Sequence, residues 1–135
     1  MYLADTANNR IRKISPEGYI TTIAGTGNAG FSGDGGAAVE ADLNAPRGVA
    51  VDAEGNLYIA DGDNYRIRKV SPSGGIATIA GNGRAGLTGD GGPATAAELN
   101  TQAMIAVDSA GNVYVADELH DRIRKLIPAT SAASR

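Results

Sequence analysis

The sequence predicts an all-β fold, a partial β-propeller of two to three four-stranded antiparallel blades joined by long glycine-rich inter-blade loops. Three observations predict it. The 135-residue chain overlays itself without a gap when shifted by 56 residues, and 32 of the first 56 residues are identical to their partners. Each repeat holds short apolar runs separated by turn-forming residues, the pattern of the antiparallel meander that builds a propeller blade. Glycine occurs 19 times, about twice its usual share and without a collagen period, so the turns between strands are many and tight.

The unit reads most completely over 48–80. With strands named a to d from the axis outward, Gly48-Val49-Ala50-Val51-Asp52 is strand a. Ala53-Glu54-Gly55-Asn56 is a tight turn, Gly and Asn supplying the backbone freedom it needs. Leu57-Tyr58-Ile59-Ala60 is strand b, and 61–65 is a loop of turn formers. Residues 66–70 form strand c, Ser71-Pro72-Ser73-Gly74 a turn, and 76–80 strand d. The strands are apolar almost throughout, which suits a sheet covered on both faces by neighbouring blades. The first unit supplies b, c and d at about 2–4, 10–15 and 20–24; the third supplies a, b and c at about 104–108, 113–117 and 122–127.

Each 25–47 and 81–103 connection opens with glycine turns and a Gly-Asp-Gly-Gly element, then reads as a helical turn or two over 37–43 and 93–99, with Pro93 at a favoured first position. Leu43 and Leu99 are expected to pack on the sheet rim. Strand alternation puts these long connections on the rim that carries the loops 5–9, 61–65 and 117–121. The other rim has only tight turns, so a binding function is expected on the loop-rich face.

The pattern Gly48-Val49-Ala50-Val51-Asp52, Gly55-Asn56-Leu57-Tyr58-Ile59-Ala60-Asp61, Asn64-Tyr65-Arg66-Ile67 resembles the NHL-repeat β-propeller family. It returns as Ile105-Ala106-Val107-Asp108, Gly111-Asn112-Val113-Tyr114-Val115-Ala116-Asp117 and Arg122-Ile123. The Ser32-Gly33-Asp34-Gly35-Gly36 insert resembles that of bacterial members of this family and implies no assigned chemistry. The third copy departs from the pattern at Met104 and at Glu118-Leu119-His120-Asp121. The resemblance implies rings of about six blades, so a chain with fewer than three is expected to be a fragment of a longer propeller. An oligomer that builds its ring from several chains is the weaker alternative. The array occupies 1–127, as partial blade 1–24, full blade 48–80 and partial blade 104–127 with inserts 25–47 and 81–103; 128–135 reads as a flexible tail. Open blade edges would favour self-association.

Bulk properties narrow the function classes. There is no cysteine, which removes thiol catalysis, disulfides and cysteine-ligated zinc. No apolar run reaches the ~18 residues of a membrane span, and Met1-Tyr2-Leu3-Ala4-Asp5 lacks the pattern of a signal peptide. The net charge of −3 disfavours general affinity for nucleic acid or anionic membrane. The compartment is undetermined by the residues; the resemblance implies an extracellular or cell-envelope parent.

Each candidate site also has a structural reading. Asp34 and Asp90 could contribute to a site for a hard cation, but one carboxylate per element favours helix capping or ordering of the loop. No metal or other cofactor is expected. Gly81-Asn82-Gly83-Arg84-Ala85-Gly86 fits a phosphate-loop spacing but follows an outer strand, outside the βαβ context that chemistry needs. Asp52, Asp108, Asp61 and Asp117 recur at strand ends, as turn residues would. Nine of the twelve basic residues lie in the three Arg-Ile-Arg-Lys stripes, where Arg10, Arg66 and Arg122 are expected to pair with Asp5, Asp61 and Asp117. His120, the one histidine, is expected to be exposed, and no Ser-His-Asp arrangement is readable. The binding-face candidates are Asp61, Asp63, Asn64, Tyr65, Glu118, His120 and Asp121. The reading is a protein-interaction or small-ligand scaffold with no catalytic residues. The alternatives are a fragment of a lyase- or lactonase-type propeller enzyme and, disfavoured by the acidic balance, an RNA binder.

Overall fold

A computed structural model describes residues 1–100 and 104–128. Ten strands form three antiparallel sheets. The first holds β1 (Tyr2–Asp5), β2 (Arg10–Ile14) and β3 (Ile20–Ala24). The second holds β4 (Pro46–Val51), β5 (Leu57–Asp61), β6 (Arg66–Val70) and β7 (Ile76–Ala80) in the order β4-β5-β6-β7. The third holds β8 (Ile105–Val107), β9 (Val113–Asp117) and β10 (Arg122–Leu126). This is the all-β partial propeller read from the repeat. The tail expected at 128–135 lies, from 129 onward, outside the described residues. Among the described residues, no helix is long and apolar enough to cross a membrane.

The central sheet shows why its strands are apolar without a polar face. Along β5 the side chains alternate between two interblade cores. Leu57 and Ile59 join Ile11, Ala24, Val70 and Ile76 on the side of the first blade. Tyr58 and Ala60 join Ile67, Ala80, Val113 and Val115 on the side of the third. Successive side chains of a strand point to opposite faces, and here each face meets a neighbouring blade. The a-to-b turns repeat one device. Asp52 Oδ1 accepts from the Glu54 and Asn56 N–H groups at 3.0 and 2.9 Å, and Asp108 Oδ1 does so from Ala110 and Asn112 at the same distances. A side-chain oxygen that satisfies nearby backbone N–H groups closes the turn locally.

The inserts differ from expectation in two ways. The helical stretch contracts to single 3-10 turns, Ala38–Glu40 and Ala94–Ala96, with Pro93 at the cap before the second. The connection also does not stay on the loop-rich rim. The Gly35 N–H donates to Ile76 O, Ile76 N–H to Gly36 O and Ala38 N–H to Gly74 O. The first insert therefore reaches the c-to-d turn of the next blade and covers the start of its outermost strand. Strand alternation fixes where a connection starts and ends, but not its path. Backbone groups on an outer strand edge need partners, and the insert supplies them. Leu43 enters the first interblade core with Ala38 and Ala41, and Leu99 enters the second. They are core residues rather than a rim covering.

Candidate functional site

Three loops of one design crown the blades at the b-to-c connections. Each is a 3-10 turn, Thr6–Asn8, Gly62–Asn64 or Glu118–His120, followed by a left-handed residue: Asn9, Tyr65 or Asp121, all at φ 54°. Each is locked by the carboxylate that ends strand b. Asn8 Nδ2 donates to Asp5 at 3.1 Å and Asn64 Nδ2 to Asp61 Oδ2 at 2.8 Å. In the third loop His120 takes the asparagine's place, its Nδ1 donating to Asp117 Oδ2 at 2.9 Å. His120 is thus half-buried and paired, which corrects the expectation of a free, exposed histidine.

The first two loops are tied through 44–46. Thr6 Oγ1 donates to Pro46 O at 2.8 Å, the Ala45 N–H to Asn9 Oδ1 at 2.9 Å and the Asn44 N–H to Asp61 Oδ1 at 2.8 Å. Such bonds make a stiff frame. Its tips differ: Ala7, Asp63, and Glu118 with Leu119, all exposed. Asp63 meets Arg47 at 3.3 Å, both half open to solvent. Leu119 is 72% exposed and was not among the sequence candidates; its signal was an apolar residue where the other copies carry Ala or Asp.

Of the candidates, Asp63, Glu118 and Asp121 stand in solvent, and Tyr65 and His120 are partly covered. Asp61 and Asn64 need correction as contact residues. Asp61 has no accessible surface and accepts from Asn44, Asn64 and Arg68. Asn64 is buried with its amide shared between Asp61 and Gly30 O. Both hold the loop from inside. Burial raises the Asp61 carboxyl above its ordinary value against the opposing pull of the Asn44 N–H, Asn64 and Arg68.

The arginine pairing also differs from expectation. It is the second arginine of each stripe that meets a carboxylate: Arg12 with Asp5, Arg68 with Asp61 and Asp34, Arg124 with Asp90. Arg66 instead stacks on Phe31 at 3.7 Å, and Arg10 donates to Thr26 O. The buried guanidinium of Arg68 needs several acceptors at once, and only its position faces both the strand-b carboxylate and the insert. Lys13, Lys69 and Lys125 sit over Tyr2, Tyr58 and Tyr114, so most of the basic stripe is engaged internally.

Asp34 and Asp90 order the inserts rather than cap a helix. Neither caps a 3-10 turn; the cap positions are Ala37 and Pro93, with no side-chain cap bond. Asp34 Oδ1 accepts from Arg68 at 2.9 Å and Oδ2 from Thr78 at 2.6 Å, while Asp90 Oδ1 accepts from Arg124 at 2.7 Å. Each of the two carboxylates is paired with a guanidinium. Among the described residues no group of three His, Asp or Glu side chains is arranged to hold a metal. The Gly81–Gly86 phosphate-loop spacing resolves as turns. Gly81 has φ +92°, and a Cβ there would collide with Tyr65 O, so the glycine is required by close backbone approach.

Comparison with known proteins gives the same fold. The Teneurin NHL domain profile matches residues 26–88. Teneurin-1 of Gallus gallus is 38% identical over 101 residues, 65% of this chain and 4% of the teneurin. A structurally characterised Bacteroides thetaiotaomicron protein of unknown function superposes with TM-score 0.81 at 31% identity, over 92% of this chain and 31% of that one. An auxiliary nutrient binding protein of the same organism superposes with TM-score 0.72 at 23% identity, over 92% and 33%, a likeness of fold. The chain therefore spans about a third of its solved structural neighbours and a few per cent of the teneurin. The repeat, the blade geometry and these matches agree: the chain carries NHL-type repeats folded as β-propeller blades.

Proposed function

We propose that this chain is a binding scaffold whose b-to-c loops present a face for a protein partner. The observation that carries the reading is the contrast within those loops. Their internal locks are the same in kind, Asp with Asn or His, whereas their exposed tips differ at Ala7, Asp63, Glu118 and Leu119. A rigid frame with variable tips limits the ordering cost of association and concentrates recognition on loops. The accessible contact set is Asp63, Tyr65, Glu118, Leu119, His120 and Asp121. Leu119 supplies an apolar anchor flanked in the loop by Glu118, His120 and Asp121, a combination suited to a peptide or protein surface with an apolar residue beside basic ones.

Selection of displayed peptides on the folded chain tests this. Selected binders should protect 62–65 and 118–121 from hydrogen exchange and lose about tenfold or more in affinity with Leu119→Asp. Binders that protect the a-to-b turns at 52–56 and 108–112, or that ignore Leu119→Asp, would overturn it.

A further inference from the structure

In the second and third stripes the second arginine holds an insert. Arg68 makes four hydrogen bonds: Nη1 to Asp42 O and Asp61 Oδ2, both at 3.2 Å, and Nη2 to Ser32 O at 2.8 Å and Asp34 Oδ1 at 2.9 Å. Thr78, on the adjacent outer strand, holds the other oxygen of Asp34. Arg124 also makes four, two to Asp90 Oδ1 and one each to Glu98 O and Thr88 O. Each insert thus projects a glycine-rich finger, 32–42 or 88–98, that offers a guanidinium the same groups, a carboxylate and two backbone carbonyls. The carboxylate lies 34 residues before its arginine in both copies.

Arg12 occupies the same repeat position, with Thr22 standing where Thr78 does. Among the described residues Arg12 makes one hydrogen bond, Nη1 to Asp5 Oδ2 at 3.3 Å. Its side chain is 26% exposed, against 0% for Arg68. Its buried Nε has no acceptor, a state Arg68 shares with its finger docked; the difference between the sites lies at Nη2, which in Arg68 takes Ser32 O and Asp34. Both fingers of this chain are already engaged within it.

We propose that Arg12, Thr22 and Asp5 form an open receptor for an acidic glycine-rich finger of the Ser-Gly-Asp-Gly-Gly kind, carried by a further repeat unit outside these 135 residues. The finger's carboxylate joins Arg12 Nη2 and Thr22 Oγ1, and its carbonyls complete the guanidinium. Asp5 keeps the guanidinium oriented as Asp61 does for Arg68. The receptor lies on strands β2 and β3 of the first blade and shares Asp5 with the lock of the Thr6–Asn8 loop. In arrays of repeats, stability rests on such neighbour contacts.

The test uses the full chain, labelled with nitrogen-15 and titrated with a synthetic peptide of the sequence of residues 31–43. The Arg12 Nε–H and Thr22 amide resonances should shift and saturate. Replacing the peptide aspartate that corresponds to Asp34 by asparagine should weaken binding about tenfold or more, as expected for a charge-assisted bond. Arg12→Ala in the chain should abolish the shift at Thr22, and Arg12→Lys, which keeps the charge, should retain weakened binding. Unmoved Arg12 and Thr22 resonances at millimolar peptide, in a well-dispersed spectrum, would overturn the proposal. So would equal binding by the asparagine peptide, or shifts at Arg68 and Thr78 instead, which would mean exchange with the chain's own insert.

Discussion

Arg68 and Arg124, which hold the inserts of the second and third blades, stand at the same repeat position and differ in their acidic partners. In the second, Arg68 bridges the insert and the strand-b carboxylate, with Asp61 and the guanidinium both fully buried. In the third, Arg124 holds only the insert. Its acidic partner Asp90 is 71% exposed, and Asp117 is bonded to His120 instead. The difference shows that a repeated ion pair does not carry a repeated energy. Where both charges are out of water, loss of one strands the other; where one stays in solvent, water takes over its charge.

The largest expected effect tests that contrast. Arg68→Ala should cost about 3–5 kcal/mol because it leaves Asp61 buried and unpaired. Arg124→Ala should cost about 1–2 kcal/mol, the scale of the lost hydrogen bonds. Urea unfolding midpoints of the two variants decide this, and equal losses would break the comparison. Next comes the residue that distinguishes the two loops. His120→Ala removes the hydrogen bond to the nearly buried Asp117 and should cost about 1–3 kcal/mol. His120→Asn, which imports the residue of the second copy, should recover most of that loss in the same measurement.

A smaller change of opposite sign is expected at Tyr65. A bulky residue in the left-handed region is strained, while asparagine tolerates it. Tyr65→Asn, the residue of the first copy, should raise stability by about 1 kcal/mol and at the same time weaken peptides selected on the loop face. A gain in stability without a loss of binding would remove Tyr65 from the contact set.

The smallest effect lies in the a-to-b turn. Burial and the hydrogen bond to Asp52 raise the Tyr58 hydroxyl to about 12, with the charges of Asp52 and Glu54 adding to the rise. Because the folded value is raised, the stability it contributes is fully present below the unfolded value near 10. It is lost as the pH rises through about 12. Absorbance titration of the folded chain should show a late phenolate step that Tyr58→Phe removes. The Asp52 carboxyl moves the other way: slight burial works upward, but the Asn56 side chain and N–H, the Tyr58 hydroxyl and the Glu54 N–H outweigh it. Its contribution is held above the unfolded carboxylate value and lost as the pH falls through the lower folded one.

Much of this was legible in the chain itself. The positions 2–5, 58–61 and 114–117 announced equivalent strands because local patterning acts within a few residues. The Asp52 turn was readable for the same reason: its donors lie two and four residues away. The placing of the b-to-c loops beside the end of the first connection followed from strand alternation. The insert's path, the burial of Asp61 and the identity of the paired arginine were not readable, although the constant spacing of Asp34 to Arg68 and Asp90 to Arg124 was a trace of the last.

The sequence by itself determined the repeat, the all-β class, the four-strand blade and the place of its turns, since these rest on side-chain periodicity and on glycine, proline, asparagine and aspartate acting on their own backbone. Only the tertiary structure decided that Leu43 and Leu99 enter the cores between blades. It alone sent Arg68 rather than Arg66 to Asp61, and set His120 in the place of an asparagine. Each of those outcomes depends on which groups a folded neighbour brings within about 3 Å, and no pattern along the chain encodes that distance.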